Sequence, residues 1–235
     1  MKKILLIIIF LTFSINLFGQ ENEKLIEKTV ELIGIKKSDI FFKLATKQEF
    51  ENGILVVIPE IAEKGEGYIL FNSHLIFIDK NTFKIKAKFS QKKDWYSDAV
   101  RIDKISIEKK TYDLNKSSIV FGLLFEYSGG GRANPFYGTE WSLYELKKDK
   151  LNRLLKRFTI QSSFGETDTT CKGNFEKHSK NIEFQIKEPE NYADIKITDT
   201  INKYSLNENC EEISQKTELK TETLRYKSGK YKNVL

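Results

Sequence analysis

"GYILFNSHLIFIDKNTFKIKAKF", residues 67–89, is the stretch on which the fold turns. Its last part alternates without a fault. Phe83, Ile85, Ala87 and Phe89 fall on one side and Lys84, Lys86 and Lys88 on the other. Successive side chains of a strand point to opposite faces, so a period of two with one apolar face predicts a half-exposed strand on a sheet. Asn72-Ser73 and Asp79-Lys80-Asn81-Thr82 are turn formers, because such side chains bond their own backbone. They divide the stretch into three expected strands.

The same signals recur outward from it. "ILVVIP", Ile54 to Pro59, is a continuous apolar, β-branched run and reads as a buried strand stopped by its proline. In "VRIDKISIE" the apolar phase slips at Asp103-Lys104, which predicts a bulge or tight bend. "SIVFGLLFEY", Ser118 to Tyr127, is apolar on both faces and predicts a central strand. "TEWSLYEL" and "LNRLLKRFTI" form a hairpin across "KKDK", and "NIEFQIK" pairs with "YADIKIT" across Glu188-Pro189-Glu190-Asn191. The last hairpin, "TELKTETLRYKSGKYKNV", turns at Ser228-Gly229 and is polar enough to be a sheet edge guarded by lysine.

Strands not alternating with helices exclude a doubly wound parallel sheet. The expected class is mainly β: antiparallel sheets, sandwich-like or partly propeller-like, with one or two N-terminal helices. The hairpin His74–Phe89 resembles one found in β-propeller blades, where an Asp-x-x-Thr turn joins the inner strands. A propeller needs at least four blades of four strands. About a dozen strands fall short of that, which favours a sandwich or a pair of packed sheets.

The chain opens "MKKILLIIIFLTFSINLFGQ": two lysines, an apolar run and a small residue at its end. These are the parts of a secretory signal, and the run is shorter than a spanning helix requires. Residues 1–19 are therefore expected to be a signal peptide, 20–52 an N-terminal helical segment and 53–235 an antiparallel β domain. In the second of these, Leu25, Ile26, Val30 and Ile33 share one helical face, Gly34 is placed to end the helix, and Ser38 is a candidate cap for a second one. The expectation is an exported protein, periplasmic or secreted, with no transmembrane segment in the mature chain. Cys171 and Cys210 are the two cysteines, and in an oxidising compartment an even count predicts a disulfide. A formal charge of +6 in 235 residues is mildly basic, which argues against a nucleic-acid partner.

Complete catalytic sets are hard to assemble from this sequence. Gly129-Gly130-Gly131 leads to Arg132 and another strand, where a phosphate-binding loop needs Gly-Lys-Ser/Thr opening a helix. There are two histidines: His74 starts a strand, as a structural residue would, and His178 sits in a polar stretch read as a solvated turn. Neither zinc nor calcium spacing occurs, so no cofactor or metal is expected. Loop carboxylates include Asp94, Asp98, Glu140, Glu166 and Asp168. "SGGGRANPFYG" is longer than a usual hairpin loop and carries a cation and aromatics, the residue types enriched at binding hot spots. Arg132, Phe136, Tyr137 and Trp141 are the expected ligand-binding residues. The expected function is that of an exported, non-enzymatic binding protein with a protein or glycan partner in the envelope. The alternatives are an envelope-polymer hydrolase using Glu126 and Glu140, or a structural envelope protein without a discrete ligand.

Overall fold

The computed structural model describes residues 23–115, 118–186 and 191–233. The expected signal peptide and most of the Glu188-Pro189-Glu190-Asn191 turn lie outside the described residues. Among the described residues, one helix, α1 (residues 23–32), precedes two single 3-10 turns, Lys37–Asp39 and Phe42–Leu44, and twelve strands follow. β1 (Thr46–Phe50), β2 (Gly53–Gly65), β3 (Tyr68–Ile78) and β4 (Ile85–Ser97) form a four-stranded sheet in chain order. β5 (Val100–Tyr112), β6 (Ile119–Gly129), β7 (Phe136–Lys147), β8 (Lys150–Thr167), β9 (Gly173–Gln185), β10 (Asp194–Leu206), β11 (Glu212–Lys227) and β12 (Lys230–Asn233) form an eight-stranded sheet, again in chain order. Every pairing is antiparallel, so the protein is two meanders joined between β4 and β5.

Three apolar clusters follow from the two faces of each sheet. Between the sheets, Leu55, Phe71, Leu75 and Trp95 of the smaller meet Ile105, Phe121, Phe125 and Tyr144 of the larger. Trp95 and Phe125 touch edge to face at 5.3 Å. The other face of the small sheet, with Val56, Ile58 and Ile76, is covered by Ile26 and Val30 of α1. That is why the β2 run is apolar at every position. The other face of the large sheet is covered by its own last strands: Ile195, Ile197, Leu224 and Tyr231 pack on Val120, Trp141, Leu143 and Leu154. Phe121 and Val120 therefore both find a core, and the expected two-faced strand is β6.

Several expectations hold in detail. The ladder shifts between Ile102 and Lys104 where the apolar phase slips. Lys148 and Asp149 turn the β7–β8 hairpin with positive φ, as Ser228 and Gly229 turn β11–β12. Cys171 and Cys210 form a disulfide that ties the β8–β9 turn to the β10–β11 turn.

Other expectations are corrected. β3 runs unbroken through Asn72-Ser73, so the quoted stretch makes two strands and not three. The polar side chains are absorbed laterally: Asn72 Nδ2 donates to Glu60 and its Oδ1 accepts from Lys93 N–H, while Ser73 Oγ donates to Asp94. Pro59 does not end β2; it lies beyond the last pair with β1, where a strand tolerates proline. Residues 20–52 are not all helical, since Thr46–Phe50 pair with β2, and Ser38 caps nothing. Phe83 belongs to the turn, with φ 55°, under Lys28.

Candidate functional site

Beyond the packed core, the C-terminal half of β8, the N-terminal half of β9, the C-terminal half of β10 and the N-terminal half of β11 continue as one sheet. Its register aligns Tyr137, Ser163, Lys177, Asn202 and Thr217 across five strands. The neighbouring row is Gly165, Phe175, Tyr204 and Gln215. Side chains two apart on a strand share a face, so both rows lie on one face. It is the face that Trp141 occupies further along β7.

The glycine loop closes one end of this face. Gly130 has φ +71°, and a Cβ there would come 1.7 Å from the Asn134 carbonyl oxygen, so the turn requires glycine. The loop is fastened to the end of β8. Thr167 N–H donates to Ala133 O at 2.8 Å, Gly165 N–H to Pro135 O at 3.3 Å, and Thr167 Oγ1 to Arg132 O at 2.7 Å. Arg132 is thus held by its backbone while its side chain is exposed, and among the described residues its guanidinium makes no ion pair. Tyr137 follows, 62% exposed. Arg132, Tyr137, Phe175, Leu206 and the disulfide line a groove of about 610 Å³. Phe175 lies across Gly165, where a Cβ would come 2.5 Å from its ring, and stacks on Tyr204 at 5.2 Å.

The structure separates the four expected contact residues. Arg132 and Tyr137 share the groove. Phe136 points to the opposite face, opposite Phe164, and packs partly into the inter-sheet core. Trp141 is a core residue, 1% exposed, with its indole N–H donating to Glu108 Oε2 at 2.8 Å. Phe175, Tyr204 and Lys177 belong to the surface and were not foreseen. "NFEKHSKN" carries a period-two signal, Phe175 and Lys177 against Glu176 and His178, that an extended reading of the stretch would have found.

The remaining candidates are engaged elsewhere. Glu126 and Glu140 face Thr139 and Phe125 respectively across β6–β7, so they project from opposite faces and do not flank a common cleft. Glu126 pairs with Lys104 and Glu140 with Arg157. Asp94 is buried on β4, and Glu140 and Glu166 are on strands, not in loops. Asp98 accepts from Val100 N–H. Asp168 accepts from Thr170 and Cys171, bonds that hold its carboxyl below the usual range. His74 is clasped between Ser90 and Glu60. His178 is no solvated turn residue: it sits on β9 between Asp199 and Glu176, each at 2.8 Å, and stacks on Phe164. Its bond, with Lys203 nearby, keeps the Glu176 carboxyl below its ordinary value.

The chain matches no protein-family model, no curated protein and no solved structure. Among the described residues no helix is long and apolar enough to cross a membrane, and no group of three or more His, Cys, Asp or Glu side chains is arranged to hold a metal ion. The groove and the face beside it together offer a cation, stacked rings, hydroxyls and the amides of Asn202 and Gln215.

Proposed function

We propose that this is an exported binding protein of the cell envelope or secreted fraction, and that it meets its protein or glycan partner through the face lined by Arg132, Tyr137, Phe175 and Tyr204. One observation carries the reading: an exposed arginine with no ion-pair partner among the described residues stands beside an exposed tyrosine in a groove whose loop is fastened to β8. With the backbone beneath them already ordered, binding has only side-chain freedom to remove, and Arg and Tyr are residue types enriched at hot spots. Glu126 and Glu140 project from opposite faces, which favours the binding reading over a hydrolase that would use the two together.

The test compares immobilised protein from Gln20 onwards with its Arg132→Ala, Tyr137→Ala variant, using envelope and secreted fractions and an envelope-glycan array. Both side chains are exposed, so unfolding free energies should agree within the scatter of surface substitutions, about 0.5 kcal/mol each. The expected result is a ligand held by wild type and weakened at least tenfold in the variant. Equal affinity of the two proteins for every captured ligand would remove this face from the function.

A further inference from the structure

β11 is paired with β10 along its length, from Glu212 to Leu224. On its outer side it meets β12 only from Leu224 to Lys227. Among the described residues no strand pairs with that side between Glu212 and Thr223. An open edge presents a row of backbone N–H and C=O groups that another strand can take up. The segment is also exposed through its side chains, Leu219 to 69% and Ile213 to 64%.

Edge lysines usually prevent such pairing by repulsion. Here Lys216 and Lys220 alternate with Glu218 and Glu222 in "KTELKTE", Lys216 to Glu222. The order is self-complementary about its middle. Laid antiparallel against a second copy with Leu219 facing Leu219, Lys216 faces Glu222, Thr217 faces Thr221 and Glu218 faces Lys220. Moving the centre to Glu218 sets Lys216 against Lys220 and Glu218 against itself. Moving it to Lys220 sets Glu218 against Glu222 and Lys220 against itself. Opposite charges directly across a ladder stabilise it and like charges destabilise it, so one register is selected and its neighbours are penalised.

We propose that two copies of this chain join edge to edge through β11, antiparallel, with the two-fold axis at Leu219. The axis stands perpendicular to the sheet, because residues facing each other in this register come from the same face. Lys216, Glu218, Lys220 and Glu222 then form one ladder and Thr217, Leu219 and Thr221 the other. Within a single chain Lys216 and Glu218 already pair at 2.8 Å; across the axis each gains a second opposite charge. The last β12 pair is Leu224 with Asn233, and Glu222 at the end of the segment accepts from Asn233 Nδ2 at 2.6 Å and pairs with Lys180 at 3.4 Å. The dimer does not depend on the binding role proposed above, but it sets two copies of the Tyr137 face on the same side, where linked contacts reinforce each other.

Light scattering and sedimentation of protein from Gln20 onwards, which contains every described residue, supply the test. Wild type should run at twice the chain mass at micromolar concentration. Glu218→Lys and Lys220→Glu should each run as monomers with unchanged circular dichroism, since both side chains lie on an exposed strand. Mixed in equal amounts, the two variants should recover the doubled mass, because each supplies the charge the other lacks. Leu219→Cys should oxidise to a reducible dimer, its Cα atoms being about 4.5–5.5 Å apart across such a pair. Thr221→Cys should not, because the two copies of that position would lie about 13 Å apart along the strand. A wild-type monomer at all concentrations, dimers in both charge variants, failure of the mixture to recover, or equal cross-linking of the two cysteine variants would each overturn the proposal.

Discussion

Gly122 shows how far one missing side chain reaches. It lies mid-way along β6, and the Glu108 carboxylate rests directly over it, accepting the Trp141 indole N–H at 2.8 Å and the Tyr112 hydroxyl at 2.6 Å. A Cβ at Gly122 would come 1.8 Å from Glu108 Oε2 and 2.5 Å from Trp141 Nε1. Alanine therefore displaces the acceptor and leaves a buried indole N–H without a partner. Gly122→Ala should lose about 2–4 kcal/mol, the sum of overpacking and an unmet donor. Urea unfolding followed by tryptophan fluorescence reads it, and a loss under half a kilocalorie would show that the carboxylate moves aside freely. The same network explains why Trp141 looked like a surface residue. Alternation places Tyr137 and Trp141 on one face, but the covering residues, Ile195 and Leu224, come from much later in the chain. Nothing local distinguishes the covered position from the open one.

At the scale of elements, what joins the two sheets is more than apolar contact. Asp94 on β4 is 5% exposed and accepts from Ser73 of β3 at 2.8 Å and from Arg153 of β8 at 2.6 Å, with Lys156 at 3.1 Å. Burial alone would raise its pKa; the hydrogen bonds from Arg153, Ser73 and Lys156 outweigh it and hold the carboxyl below the ordinary value. A carboxyl depressed in the folded state stabilises fully above its unfolded value, about 3.9, and loses that contribution as the pH falls through the lower folded value. Asp94→Asn leaves the partly buried Arg153 without its counter-charge and should lose about 3 kcal/mol at neutral pH. It should also flatten the acid limb of stability, and melts taken from neutral pH to well below 3.9 compare the slopes. Parallel acid limbs would mean that Asp94 does not govern this response. Ser73 and Asn72 belong to this lateral bonding, which is why they failed as turn signals: a polar pair reads as a turn until a neighbouring strand supplies its partners. The bulge at Asp103-Lys104 and the turns at Lys148-Asp149 and Ser228-Gly229 were legible because their cause is local phase and backbone angle. β1 was not, since "TKQEF" has no apolar face and is a strand only because β2 lies beside it.

The whole molecule divides into a packed part and an extension with little core of its own. Among the described residues, no hydrophobic side chain between Lys156 and Tyr192 is buried, and between Asp199 and Thr223 only Ile201 is. In that region the sheet depends on ladder hydrogen bonds, ring stacking and the Cys171–Cys210 bridge, which closes a separation of 39 residues. Such a bridge contributes about 4 kcal/mol in the chain-entropy model. Its loss should be felt locally before it is felt globally, because amides exchange through the cheapest opening available to them. Reduced protein, or Cys171→Ser with Cys210→Ser, should exchange faster in residues 161–167, 173–179 and 212–219. Amides of β2 and β6, buried between layers, should keep protection set by global unfolding. Hydrogen exchange with mass spectrometry resolves these segments. Uniform acceleration over the whole chain would show instead that the extension and the packed part unfold as one unit. The faces proposed for recognition and for pairing both lie on the extension. The bridge should therefore govern their order without governing whether the core folds.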